Sequence, residues 1–424
     1  MVSSTFYVVE YLTTLLRAEM PGATAEWKKA FDRAIDARDI RFCEALLLEV
    51  KRFRLAPVDL AQVRRQEGRL RHFMHDWDNA ISCFQQSLSL FETLGDVKNQ
   101  SLVLSELGGD LHRAGKWDHA LRCYQHALEL DQQLEDKNAA SYDYRDIAGV
   151  LEDQGRYAEA IDHYFKTIPS LEGSTDRGRG ASIIGSVAAC MSAMGRLNQA
   201  IPLLDLAIKL RTDHHSTGYA NALTNLGSVL RRQGKLEEAL IRFDEALTIA
   251  FELQNFHLQS VLVNHLGTIF YDQGEYERAE EKYQLALEMK RQLGDERGIG
   301  VVLNNLGVLY RDTQRYEAAT QCLEEDLQLR QRLGDVRGIA IAHNNLGTTL
   351  SRLGRDDDAE AHYLQAVSTC RGVGIVDVQA ISLRKLADLY RAQGQDEAAA
   401  FAAAEAQQLD RQVRGDQEDD HATT

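Results

Sequence analysis

The chain has 424 residues, 44% hydrophobic and 26% charged, with only 4 prolines, which is long enough for roughly three ordinary domains or one extended array and too poor in proline for a loop-rich fold. Its 48 basic and 64 acidic side chains leave a formal charge of -16, which argues against a nucleic-acid backbone or an anionic membrane surface as partner. Six cysteines without a CxxC pair argue against a disulfide framework and fit a reducing compartment.

Taken from the N-terminus, Thr5 to Leu16 has Glu10 as its only charge and lacks the basic start and small-residue cleavage site of a signal peptide. No stretch reaches the ~18 to 20 apolar residues a membrane helix needs, so a cytoplasmic location with no membrane partner is expected. Residues 5–17 read as a cap helix. Thr24 to Ala37 and Asp39 to Phe53 read as a degenerate helical hairpin, with Asp39-Ile40 at the turn and Cys43 at the small-residue position. Residues 1–56 are therefore predicted to be an N-terminal helical region.

From residue 57 the chain repeats itself. A turn residue, a bulky residue two later and an alanine five later recur at Gly115/Trp117/Ala120, Gly155/Tyr157/Ala160, Gly195/Leu197/Ala200, Gly234/Leu236/Ala239, Gly274/Tyr276/Ala279 and Gly354/Asp356/Ala359. The step is 40 residues, once 39, and His75, Gln314 and Gly394 keep the register, giving nine units over 57–413. Seven residues before each turn stands an aliphatic-small pair such as Leu226-Gly227 or Leu306-Gly307, within an amphipathic helix. The second helix carries a small-large-small stripe, as in Ala279, Tyr283 and Ala286, which lets two helices approach closely. Between units, Leu-Gly-Asp at 94, 293 and 333 ends one helix and caps the next. A hairpin of this kind cannot bury both faces alone, so the expected fold is all-α, a right-handed superhelical solenoid of antiparallel helix pairs. Ala398 to Ala406 forms an atypical last helix, and the tail 414–424 is expected to be disordered.

These positions carry a resemblance. The Leu-Gly pair, the turn glycine with its tyrosine, and the alanine and aromatic of the second helix resemble tetratricopeptide repeats in their forty-residue form. The middle units, with Gly-Asp-x-Arg-Gly at Gly294 to Gly298 and Gly334 to Gly338 and Asn-Asn-Leu-Gly at Asn304 and Asn344, are similar to those of kinesin light chains and spindle-orientation adaptors. They are also similar to the repeat arms of bacterial signalling ATPases and to bacterial peptide-pheromone receptors. The resemblance implies that the first helices line a concave groove. It does not extend to the Lys-x-x-x-Asn clamp of chaperone-binding repeats, which no unit contains.

On that inner stripe the early units offer Glu106, Asp143 and Asp146, and the fifth to eighth offer Thr224-Asn225, Asn264-His265, Asn304-Asn305 and Asn344-Asn345. An amide both donates and accepts, so such a column can satisfy the backbone of an extended peptide whatever its side chains. The alternative is that the amides bond their neighbours across the repeat interface. One turn further lie Arg231, Arg232, Arg311 and Arg352, which either grip acidic groups of a ligand or pair with Asp272 and Asp312. Cys83, Cys123 and Cys322 share one repeat register, and His214-His215 sits on a turn; neither arrangement builds a metal site. A phosphate loop, a GxSxG elbow, HExxH and nucleophile-base pairs are all missing from the sequence. The expectation is a non-catalytic scaffold without cofactor or metal, holding a protein or peptide in its groove. The alternatives are a peptide-responsive sensor signalling through its N-terminal helices and a regulatory arm of a separate signalling ATPase or protease.

Overall fold

The computed structural model describes residues 2–18, 20, 22–168 and 177–414, and the acidic stretch 415–424 lies outside the described residues. The described residues form helices and short turns. α1 (Val2–Arg17), α2 (Ala23–Asp36) and α3 (Ile40–Val50) precede nine hairpins. These pair α4 (Pro57–Phe73) with α5 (Trp77–Leu94), α6 (Val97–Arg113) with α7 (Trp117–Gln133), and α8 (Lys137–Asp153) with α9 (Tyr157–Lys166). Next come α10 (Arg177–Ala193) with α11 (Leu197–Leu210), α12 (Thr217–Arg232) with α13 (Leu236–Glu252), and α14 (Phe256–Asp272) with α15 (Tyr276–Leu293). The last three pair α16 (Glu296–Asp312) with α17 (Tyr316–Leu333), α18 (Val336–Arg352) with α19 (Asp356–Val373), and α20 (Val376–Ala392) with α21 (Asp396–Arg414). The chain divides into two compact units, residues 1–147 and 148–424, with the division inside α8.

In the first unit Trp27 and Phe31 anchor a core with Leu12, Leu16, Cys43, Leu46 and Val50 that continues onto Val63 and Leu70 of α4. The Trp27 indole donates to the Leu46 carbonyl (2.9 Å). Asp39 caps α3 by accepting from the Phe42 amide (3.0 Å), as its place in the turn predicts. The hairpin read as far as Phe53 stops three residues earlier, at Val50. Pro57 opens α4 and holds Ala56 extended (φ -61°, ψ 152°), so residues 51–56 form a longer connection than the other turns.

One contact recurs in most of the hairpins. The aromatic of the second helix lies on the small residue of the first: Tyr124 on Gly108, Phe243 on Gly227, Tyr283 on Gly267 and Tyr363 on Gly347. A Cβ on Gly267 would stand 2.7 Å from the Tyr283 ring, closer than packed atoms approach. The alanines that flank the aromatic, such as Ala279 and Ala286, are fully buried. Between hairpins Gly294 and Gly334 take left-handed conformations (φ 66°), while Asp295 and Asp335 cap the next helices through the Gly298 (2.9 Å) and Gly338 (3.0 Å) amides. The second glycine of Gly-Asp-x-Arg-Gly is there for room, since a Cβ on Gly298 would meet Lys290, which is itself paired with Asp295 (2.7 Å).

In the second unit the first helices touch one another in succession, α10 with α12, α12 with α14, α14 with α16, α16 with α18 and α18 with α20, and so line the inner side of the curve. The unit curls until its ends meet. The Arg337 guanidinium bonds both oxygens of Asp377 and donates to the Asp153 carbonyl (3.0 Å) and the Tyr157 hydroxyl (3.3 Å). Tyr157 donates to Asp377 (2.9 Å), and the Val376 amide donates to the Gln154 carbonyl (3.1 Å). The pair is three-quarters or more buried, so this junction is a specific closure of the ring of repeats.

Two predictions follow from the packing. Gly267→Ala should lower the unfolding free energy in urea by about 1–3 kcal/mol through overpacking, whereas Gly149→Ala, where a Cβ meets nothing within 4 Å, should raise it by about 0.5–1 kcal/mol. Arg337→Ala should cost about 2 kcal/mol and open the second unit, read as an increased radius of gyration in small-angle scattering; an unchanged radius would mean that the junction does not hold the ring.

Candidate functional site

The inner stripe of the second unit is an inter-repeat ladder. The position two before the recurring aliphatic in one repeat faces the position one before it in the next. The Asn305 amide donates to Asn264 Oδ1 (3.0 Å), and the Asn345 amide donates to Asn304 Oδ1 (2.6 Å). In both pairs the spacing is 41 residues, one more than the repeat, because the contact runs diagonally between neighbouring first helices. The same positions in the first unit hold an ion pair, in which Arg65 grips both oxygens of Glu106 (2.7 and 2.8 Å).

The predicted column is thus brought together, but its members are not equivalent. Asn264 and Asn344 are buried, and Asn304, Asn305 and Asn345 are half-buried, less open than their place on an inner stripe suggests, because each rung tucks into the seam between two helices. Asn225 is exposed: Gly185 stands opposite it and has no side chain to complete the rung, the nearest approach to a Cβ there being 4.0 Å. At the far end the repeat after Asn344 carries Lys385, and the buried Asn344 Oδ1 has no hydrogen-bond partner.

His265 replaces the amide in one rung. Its ring stacks on Phe243 (centroids 4.9 Å apart, planes at 9°). Burial, and secondarily the charge of Arg231, lower its pKa to about 4. Of the four arginines, Arg231 pairs with Asp272 (2.7 Å) and Arg311 chelates Asp312 (2.8 and 3.2 Å), so two of them are occupied as counter-ions. Tyr271 also donates to Asp312. Partial burial works to raise the pKa of Asp312, but these bonds hold it below the ordinary carboxylate range. Arg232 is exposed and donates to Ser192 (2.8 Å), and the exposed Arg352 adds its charge near Asp312. The structure therefore presents Asn225, Arg232 and Arg352 openly, Asn304, Asn305 and Asn345 in part, and keeps Asn264 and Asn344 buried.

Sequence reasoning missed the closure residues Tyr157, Arg337 and Asp377. Arg337 was visible only as the arginine of Gly-Asp-x-Arg-Gly, a motif that says nothing of a partner 180 residues away. Each cysteine is free, and Cys43, Cys83, Cys190 and Cys370 are buried as packing residues. No helix among the described residues is long and apolar enough to cross a membrane.

Because His265 is neutral when folded and takes up a proton near pH 6.5 when unfolded, the unfolded state binds more protons between the two values. Stability should be intact above about pH 6.5 and fall by up to about 3 kcal/mol as the pH drops towards 4. His265→Asn, the residue its sister positions carry, should flatten that slope in unfolding titrations from pH 7 to 4. An unchanged slope would assign the effect elsewhere.

No curated protein matches the sequence. Among solved structures, a Rap protein complexed with competence and sporulation factor is 16% identical, over 92% of this chain and 98% of that one, with a TM-score of 0.57. The apo quorum sensor NprR from B. thuringiensis is 13% identical over 87% and 99% (TM-score 0.51), and aspartyl phosphate phosphatase F from Bacillus subtilis 14% over 93% and 96% (TM-score 0.50). At these identities the likeness is one of fold. The profile of the tetratricopeptide repeat matches residues 59–133, 99–172, 181–250, 258–332, 298–372 and 338–412, most of the chain. The repeat spacing, the glycine-aromatic hairpins and this match agree: the chain belongs to the tetratricopeptide repeat family.

Proposed function

We propose that the chain is a protein-interaction scaffold that holds an extended peptide, or a helical segment of another protein, along the amide stripe of residues 148–424. The fold itself points to a protein or peptide partner. The observation that carries the finer reading is the exposed Asn225 over Gly185, in the same register as Asn305 and Asn345. Asn305 and Asn345 spend one N–H each on the neighbouring repeat, and an amide has a second N–H and an acceptor oxygen to offer. Arg232 and Arg352 add positive charge beside the stripe, suited to an acidic group of the ligand. In this reading residues 57–413 are the recognition array and 1–56 its cap, and catalysis is not part of the role.

A second reading rests on α1–α3, which precede the nine hairpins and cluster with the start of the array around Trp27 and Phe31. On this reading a bound peptide alters the array, and the N-terminal helices pass the change to an output protein. The names of the Rap and NprR structures, one complexed with competence and sporulation factor and one a quorum sensor, support it.

The test is selection of a displayed library of random eight-residue peptides on the whole chain, followed by binding of the winners to the Asn225→Ala/Asn305→Ala/Asn345→Ala variant. At least a tenfold loss, with the unfolding free energy lowered only by the two lost rungs (about 1 kcal/mol each), is expected. Winners that bind the variant equally would place recognition outside the stripe.

A further inference from the structure

The first unit contains a second cleft on its first-helix face. It lies between α6 and α8, is closed below by the end of α7, has a volume of about 500 Å³ and opens to solvent. Its floor is acidic and buried: Asp131 is 4% exposed and Asp143 1%. Ser101 donates to Asp131 Oδ1 (2.5 Å) and Ser105 to Asp143 Oδ1 (2.7 Å), so each hydroxyl serves one oxygen. Asp143 Oδ2 is buried and receives no hydrogen bond. The neighbouring charges that act on it most are those of Asp131 and Asp146, both of the same sign. Burial, then the Asp131 carboxylate, pushes the Asp143 acid well above the ordinary carboxylate range despite the Ser105 bond.

Two buried carboxyl groups side by side must share a proton, with Asp143 donating to Asp131, or gain a cation. The cation on the cleft's lining, Lys98, is exposed at its rim. Arg145, two residues beyond Asp143 on α8, is held over Tyr142 and bonded to Asp146 (2.7 and 2.9 Å). The walls have a different character. Leu102, Leu134 and Tyr142 are each more than 40% exposed and present apolar surface above the acidic floor. An apolar stem with a cationic tip matches that order of surfaces, and a planar fork of five donors can serve two carboxyl groups at once.

We propose that the α6–α8 cleft binds a guanidinium group on a short alkyl stem, of the kind an arginine side chain carries, with the head on Asp143 and Asp131 and the stem against Leu102 and Leu134. As the guanidinium enters, Asp143 gives up its proton to solvent, so the buried pair gains a counter-ion in place of a shared proton. The site lies within residues 1–147 and does not depend on the amide stripe of the proposed function.

Isothermal titration of n-butylguanidinium into the whole chain at pH 7 tests this. One site is expected, with proton release read from the dependence of the heat on buffer, and at least tenfold weaker binding of the neutral n-butylurea. Asp143→Asn should weaken guanidinium binding at least tenfold without lowering the thermal midpoint. Asp131→Asn serves as a second variant should the first fail to fold. The triple asparagine variant should bind as wild type does, which separates this site from the stripe. A capped Gly-Arg-Gly peptide that binds as tightly assigns the cleft to a chain-borne arginine, and binding of the small cation alone assigns it to a free metabolite. Equal binding by Asp143→Asn or by n-butylurea would overturn the proposal.

Discussion

The rest of the molecule depends on an aromatic ring packed against a helix with no side chain at the point of contact. Tyr283 on Gly267 and Tyr363 on Gly347 leave no space for even a methyl group, so the two helices of a hairpin have one separation available to them. The tyrosine hydroxyls then find threonine one position beyond the glycine, Thr268 (3.2 Å) and Thr348 (3.1 Å), which fixes the ring's direction as well as its depth. A fixed hairpin stacked with a fixed partner gives a constant rotation per repeat. That constancy lets position two before the aliphatic in one unit meet position one before it in the next, over and over. A unit with leucine in place of the ring, Leu323 on Gly307, keeps the same contact with a different apolar group, so depth of packing is the constraint and aromaticity is secondary.

Much of this was legible in the sequence because its causes are local. A forty-residue period, a glycine at a turn and an aspartate three residues before an amide it can cap are all interactions within one or two turns of helix. Even His75 and Gln314, which break the glycine pattern, keep left-handed turns (φ 59° and 62°), since the packing on either side outweighs the strain of about 1 kcal/mol. The stripe was legible as a column of side chains but not as a set of bonds. Whether Asn305 faces a groove or Asn264 depends on a diagonal offset of one residue, which the accumulated twist decides and the repeat alignment hides. The closure was not legible at all: Tyr157 and Asp377 are 220 residues apart, and their meeting is the sum of every rotation between them.

The two inner faces solve the same problem with different chemistry. Where two first helices press together, polar side chains at the seam lose water and must find partners. In the first unit the solution is ionic, as in Arg65 with Glu106, and it becomes strained where acids outnumber cations, at Asp131 and Asp143. In the second unit the solution is amide on amide, which leaves no net charge to neutralise and tolerates a missing rung, as at Gly185 and Asn225.

That difference bears on recognition. A ladder of ion pairs, once complete, has little left to give a ligand, because both partners have spent their charge on each other. A ladder of amides is never complete: each rung uses one donor and one acceptor of groups that have four hydrogen-bonding positions, and in the proposed reading the remainder serve the ligand. The array can therefore be rigid and receptive through the same atoms. Rigidity comes from the rungs that hold successive repeats in register, and receptivity from their unused valences. A ligand that adds to such a surface finds donors and acceptors already positioned, so less ordering is needed when it binds. The closure of the second unit by Arg337 and Asp377 strengthens that effect by holding the rotation per repeat to one value.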